Sequence, residues 1–307
     1  MSDYTKGAAY IDGSYMPLSE AKIPVTHWGY RRSDVTYDVV GVWDGAFFRL
    51  DDHLARFRAS MERMRMVPKE SDDEIRAIVH RTVALSGLTR SYVAMDCLRA
   101  APPPGAPRQP SQAPSYIMVM AMPWAWVAPP EVQERGVRLM IPTVRRIPAT
   151  SVDPRGKNFH WGDLTAGQFE AEEAGADFAV LLDHDGNVTE GAGFNVFCVT
   201  DGRVATPARG TLEGVTQKSV MELCEEMGLP LEVRDISAEE FREADEIFLS
   251  TTAGGIMPAS RIDGRMLGND SPGPVSLALK ARFWEKRAEG WHATPVDYAA
   301  AEASAAA

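Results

Sequence analysis

The chain has 307 residues, 45% of them hydrophobic and 24% charged, which is an ordinary globular composition and enough length for two packed units. A formal net charge of −11 would repel both a phosphate backbone and an anionic leaflet, so neither nucleic acid nor a membrane is an expected partner. Cys97, Cys198 and Cys224 form an odd set without CxxC spacing. They make a poor disulfide framework and fit a reducing cytoplasm, and no basic start followed by an apolar run precedes Asp12 as an export signal would.

In chain order, Tyr37 to Trp43 is β-branched and aromatic, Asp44-Gly45 is a tight-turn pair, and Phe47 to Leu50 returns as a hairpin partner. Asp51 or Asp52 is expected to cap the helix that follows, whose Leu54, Phe57, Met61 and Met64 repeat at helical spacing. Tyr92 to Leu98 and Tyr116 to Met122 read as strands separated by a Pro-rich loop, Ala101 to Pro114, of the length that often covers a site. The Pro- and Trp-rich stretch 123–135 is the expected linker between a smaller N-terminal α/β domain, 1–122, and a larger C-terminal domain, 136–307. Val137 to Ile141 opens the second set of strands. A helix beyond Lys157 ending near Gly175 follows, then strands Phe178 to Leu182 and Phe194 to Val199, a helix Val215 to Gly228, and a strand Glu246 to Ser250. The fold class is therefore α/β in the mixed α+β sense, without a strict βαβ rhythm, and the Ala-rich end from Ala299 reads as a fraying tail.

Some patterns lead nowhere. Asp183, Asp185 and Asn187 alternate like calcium ligands, but Gly186 comes too early and Glu190 lies too close for an EF-hand, so the segment is a turn. Gly191-Ala192-Gly193 lacks the third glycine of a dinucleotide fingerprint, no GxxxxGK[ST] occurs, and six scattered histidines do not indicate a metal site.

Four segments are informative: Gly156-Lys157-Asn158-Phe159-His160-Trp161, Thr189-Glu190-Gly191-Ala192-Gly193-Phe194-Asn195, Glu213-Gly214-Val215-Thr216, and Ser250-Thr251-Thr252-Ala253-Gly254-Gly255. In this order and spacing they resemble class IV aminotransferases, the fold type IV pyridoxal-phosphate enzymes, from Tyr10 to about Gly264. Thr36-Tyr37-Asp38, Val42-Trp43-Asp44-Gly45 and Leu50-Asp51-Asp52-His53-Leu54 are most similar to the (R)-selective amine transaminases within that family. The resemblance implies two α/β domains with pyridoxal 5'-phosphate at their interface, and a homodimer.

It also implies roles. Lys157 falls on the Schiff-base lysine, whose amine must be partly desolvated and which then carries a proton between substrate and cofactor. Glu190 falls on the partner of the pyridine nitrogen, where a carboxylate keeps the ring protonated. Val215 and Thr216 begin a helix after Gly214, so their N–H groups and a hydroxyl suit a phosphate. Thr252 is expected to add a second hydroxyl, and Arg56 falls on the phosphate-binding arginine, although Arg58, Arg63 and Arg65 nearby read as a solvated helix face. Tyr37 is the expected pocket tyrosine.

Substrate choice turns on how a carboxylate is received, because burying that charge requires a partner such as Arg. Gly41 stands where branched-chain and D-amino-acid transaminases often carry a basic residue, whereas Arg108 in the long loop is placed to swing toward a keto acid or D-amino acid carboxylate. Arg32 stands where similar (R)-amine transaminases tend to have histidine, and Arg31 where glycine is usual, so the site entrance departs from that pattern. The expected function is transfer of an amino group from an (R)-configured primary amine to a keto acid such as pyruvate. D-amino acid or branched-chain amino acid transamination is the alternative, followed by lyase chemistry of the aminodeoxychorismate type.

Overall fold

The computed structural model describes residues 3–299; the remainder of the Ala-rich tail lies outside them. Contacts divide the chain into two units. The first comprises the described residues of Met1–Ala125 and Trp291–Ala307 with Gly156–Phe159; the second comprises Trp126–Arg155 and His160–Gly290.

The first unit contains β1 (Ala8–Ile11), β2 (Ser14–Pro17), α1 (Trp28–Arg32), β3 (Val35–Trp43), β4 (Ala46–Phe48), α2 (Leu50–Arg63), α3 (Asp72–Ser86), β5 (Ser91–Arg99) and β6 (Ser115–Pro123). The second holds α4 (Pro130–Arg135), β7 (Val137–Met140), α5 (Gly162–Glu173), β8 (Phe178–Ala179), β9 (Glu190–Gly191), β10 (Phe194–Thr200), β11 (Arg203–Pro207), α6 (Val215–Glu226), β12 (Leu231–Arg234), α7 (Ala238–Glu243), β13 (Glu246–Thr251), β14 (Gly255–Ile262), β15 (Arg265–Met266) and α8 (Pro274–Ala288). The chain then returns to the first unit as β16 (Ala293–Pro295).

The first sheet runs β16-β4-β3-β5-β6-β1-β2. Because side chains alternate across a strand, Val40, Val42, Val93, Met95, Cys97, Ile117 and Val119 share one face, which packs with Leu50, Phe57 and Met61 of α2 and Ile75, Val79 and Val83 of α3. The opposite face carries Tyr37, Val39, Ala94 and partly buried Tyr92, Met120 and Met122. Two local details differ from expectation. The chain enters α2 through Arg49 in the left-handed conformation, not through an Asp51 or Asp52 cap; both aspartates fall in the first turn, where they suit the helix dipole. Helix α3, bounded by a Ser71–Glu74 capping box and by Gly87 at φ 65°, is an element the apolar spacing left unassigned.

The second sheet runs β12-β11-β10-β13-β14-β7-β8, with β9 on β10 and β15 on β14. Its buried Val196, Cys198, Ile247, Leu249, Met257 and Ala259 form a separate core with Ile236 and Phe241. The strand expected at 178–182 is regular only over β8; beyond it Leu181 exchanges backbone hydrogen bonds with Thr189 and Glu190, which fixes the approach to β9. Part of the expected linker, Pro130–Arg135, is helical. Among the described residues no helix is long and apolar enough to cross a membrane.

Candidate active site

In the first unit, Gly156–Phe159 lies along the half of β3 that β4 leaves uncovered. Thr36 bridges Asn158, and the Lys157 carbonyl accepts hydrogen bonds from Tyr37 N (3.0 Å) and Thr36 Oγ1 (2.7 Å). Lys157 N donates to Ser60 Oγ of α2 at 3.1 Å. With both backbone polar groups anchored, the half-buried side chain is aimed by the fold, and its Nζ lies 4.4 Å from the centroid of the Tyr37 ring. Tyr37 is buried and packs on Phe159 with centroids 4.8 Å apart.

On the helix-facing side of β3, Asp38 is fully buried. Its Oδ1 accepts from Val39 N and His53 Nδ1, each at 2.7 Å, and from Arg56 Nη2 at 2.9 Å; its Oδ2 accepts from Arg56 Nε at 2.7 Å. Burial would raise this carboxyl, but Arg56 and His53 outweigh it and hold the group below the usual carboxylate range. Burial also pushes His53 below its ordinary value against the pull of Asp38, so the imidazole is neutral near pH 7. Arg56, expected at a phosphate, is thus seated on Asp38 by a two-point contact.

In the second unit, β9 exists because Glu190 and Gly191 pair with Asn195 and Phe194 across the turn at Gly193 (φ 84°). Gly191 has no room for a side chain, since an added Cβ would lie 2.4 Å from the Ala179 carbonyl. The buried Glu190 accepts from Arg146 Nη2 (3.0 Å) at Oε1 and from Leu212 N (2.9 Å) at Oε2. Arg146 also pairs with Asp163, whose carboxylate accepts the Ile147 and Leu164 amides. Asn195 Nδ2 donates to the Leu212 carbonyl, so Leu212 is held from both sides and carries Gly214 and α6 with it.

Helix α6 begins at Val215, and its first intrahelical bond is donated by Lys218 to Gly214 O. The Val215, Thr216 and Gln217 amides therefore precede any intrahelical acceptor and sit at the positive end of the helix. Gln217 Oε1 is already engaged by Gly214 N, and the buried Thr216 hydroxyl makes no hydrogen bond among the described residues. Gly214 allows this close approach, because a Cβ there would fall 1.9 Å from Asn195 Oδ1. Thr252 lies in the turn between β13 and β14, beside Thr251, whose hydroxyl donates to Gly193 O at 2.8 Å. The Thr251–Gly193 and Leu212–Glu190 hydrogen bonds thus tie the turn of Thr252 to the turn after β9, and β9 to the segment that leads into α6.

Two other expected residues stand apart. The Arg32 guanidinium lies 3.7 Å over the Trp28 ring, a cation–π contact within its own helix. Arg108 is exposed in the loop and makes no ion pair among the described residues. The sequence reading assigned no role to Asp38, His53, Arg146, Asp163 or Asp96. The available signal was a charged residue inside an otherwise apolar strand, as at Asp38 and Asp96.

Taken separately, the first unit holds a half-buried amine, and the second holds a carboxylate backed by an arginine and helix amides beside a hydroxyl without a hydrogen bond among the described residues. The family described as Amino-transferase class IV matches residues 36–262. The chain is 28% identical over 269 residues to the D-alanine aminotransferase of Bacillus licheniformis, covering 87% of this chain and 92% of that protein. It is 26% identical over 290 residues to the branched-chain-amino-acid aminotransferase of Escherichia coli K12, covering 91% and 93%. The T.th. branched-chain amino acid aminotransferase, complexed with N-(5'-phosphopyridoxyl)-L-glutamate, superimposes with a TM-score of 0.87 at 28% identity, covering 97% of this chain and all of that one. The chain therefore belongs to the class IV aminotransferases, pyridoxal-phosphate-dependent enzymes of the transferase class.

Proposed function

We propose that this chain transfers the amino group of an (R)-configured primary amine to a keto acid such as pyruvate, and that it does so as a homodimer. The carrying observation is the face of the first sheet that bears Tyr37. By strand alternation and register this face presents Val35, Tyr37, Val39, Gly41 and Trp43 from β3, Tyr92, Ala94, Asp96 and Leu98 from β5, and Tyr116, Met118, Met120 and Met122 from β6. None is basic. A donor carboxylate would find no counter-charge on these strands, whereas an apolar amine would be accepted. The handedness rests on the resemblance of Thr36–Asp38 and Val42–Gly45 to (R)-selective enzymes.

Pyridoxal phosphate supplies an electron sink for the bond broken at the donor carbon. Lys157 Nζ would hold the cofactor at its aldehyde, and the same amine would hold and move the donor-carbon proton. The Glu190 carboxylate keeps the ring nitrogen protonated, and Arg146 fixes its orientation. The Val215 and Thr216 amides and the Thr216 and Thr252 hydroxyls bind phosphate, with Arg56 as a further donor. Tyr37 packs over the reacting amine, Arg32 borders the entrance, and Arg108 receives the acceptor's carboxylate.

A second reading, transamination of D- or branched-chain amino acids, is favoured by the names of the relatives. The deciding experiment adds (R)- or (S)-1-phenylethylamine, D-alanine or L-leucine to cofactor-loaded enzyme and follows the cofactor's visible absorbance. Loss with the (R)-amine is the expected outcome, and loss with an amino acid alone moves the assignment to that class. Lys157→Ala should lower the rate by about 10²–10⁴-fold, the range for a positioned proton-transfer group.

A further inference from the structure

Asp96 sits in the middle of β5, directly opposite Tyr37 on β3 and Met118 on β6, and so on the Tyr37 face of the sheet. It is 2% exposed, and its Oδ1 is buried without a hydrogen-bond partner. Among the described residues the carboxyl makes no hydrogen bond and no ion pair, and burial pushes it up to about 7. The nearest arginine in sequence, Arg99, has its side chain committed to Asp34 (2.8 Å) and to the Met64 carbonyl (2.8 Å).

An unpaired carboxyl inside a sheet is an expensive choice where valine or leucine would suit the apolar surroundings. Val39, Ala94 and Met120 around it show what this face otherwise contains. Its location is specific: neighbouring strands are about 4.8 Å apart, so Asp96 lies one strand from the ring over which Lys157 Nζ is placed. A neutral donor would satisfy one lone pair but leave the ionised form unbalanced, whereas an ammonium group supplies both hydrogen bonds and counter-charge.

We propose that Asp96 is a specificity-determining residue that receives a second, cationic group on the amino donor, so that diamines or basic amino acids are preferred over their apolar counterparts. This rests on Lys157 being the centre of amine exchange. It does not depend on whether the donor also carries a carboxylate.

The test compares two matched pairs on the cofactor-loaded enzyme, putrescine with n-butylamine and ornithine with norvaline, the amino acids as both enantiomers, with kcat and KM measured separately. Wild type should favour the cationic member of at least one pair by tenfold or more. In Asp96→Leu that ratio should fall at least tenfold, chiefly through KM of the cationic donor, with Asp96→Asn in between as an isosteric variant that tolerates any packing change. A ratio unmoved in both variants overturns the proposal, as does an equal loss for both members of each pair, the mark of a merely structural residue. If wild type exchanges amines with (R)-1-phenylethylamine but shows no preference in either pair, the inference fails while the transaminase reading stands; if no donor reacts, both fail.

Discussion

Each unit encloses an arginine–carboxylate cluster, but the two are built around opposite charges. In the first, Asp38 is the centre and Arg56 and His53 surround it; in the second, Arg146 is the centre and Asp163 and Glu190 flank it. With His53 neutral, the first cluster balances to zero, whereas the second retains one negative charge. The difference bears on function. In the proposed function a surplus carboxylate charge at Glu190 would suit a protonated ring nitrogen, while the balanced cluster behind Tyr37 fixes the strand to which the Lys157 backbone is hydrogen-bonded. On that reading the same interaction type would receive a cation in one unit and lock a scaffold in the other.

Removing the first centre should be the more damaging change. Asp38→Ala removes the counter-charge of Arg56 and the hydrogen-bond acceptor of His53, and breaking such a buried pair typically costs about 3–5 kcal/mol. Urea unfolding followed by circular dichroism measures it, and pairing Asp38→Leu with Arg56→Met should recover much of the loss by removing both charges. A single variant as stable as wild type would show that the cluster does not hold the scaffold.

Arg146→Met should cost less, about 2–3 kcal/mol in the same assay, because the two carboxylates it abandons keep other donors. Asp163 retains the Ile147 and Leu164 amides and Glu190 retains the Leu212 amide. A loss equal to that of Asp38→Ala would erase the distinction between the clusters.

Much of the scaffold was legible because strand alternation is a local signal. The runs 37–43, 92–98 and 116–122 each recur inside β3, β5 and β6, with Asp44-Gly45 as the turn expected of it. The roles proposed for Lys157, Glu190 and Val215–Thr216 rest on the resemblance of their segments, not on alternation or spacing. What stayed hidden was non-local. Arg146 meets Asp163 and Glu190 across 17 and 44 residues of sequence, and nothing in the run Val144-Arg145-Arg146 distinguishes the arginine that turns inward. The cap of α2 was misread for a different reason: an Asp pair normally signals a helix start, but here Arg49 takes the left-handed turn and pairs with Asp52 from outside the helix.

The finest division lies within the first unit, where Asp38 and Asp96 occupy opposite faces of paired strands and should titrate with opposite signs. Asp38 is held below its ordinary value of 3.8, so its contribution is fully present above that pH and fades as pH falls toward its folded-state value; the stability gap between wild type and Asp38→Asn should therefore shrink in acid. Asp96 is raised from 3.8 to about 7, so the folded state binds the extra proton in that window and stability falls as pH rises through it. Replacing Asp96 by Asn removes this slope. Relative to wild type, Asp96→Asn should gain stability steadily from about pH 4 to 7 and level off above, by about 1–3 kcal/mol, the usual cost of one unsatisfied buried polar group. Urea midpoints collected across that range check it. A gap that is flat with pH would mean that Asp96 has found a partner in solution, and a gap that closes with rising pH would mean that the partner is a cation already supplied by the protein.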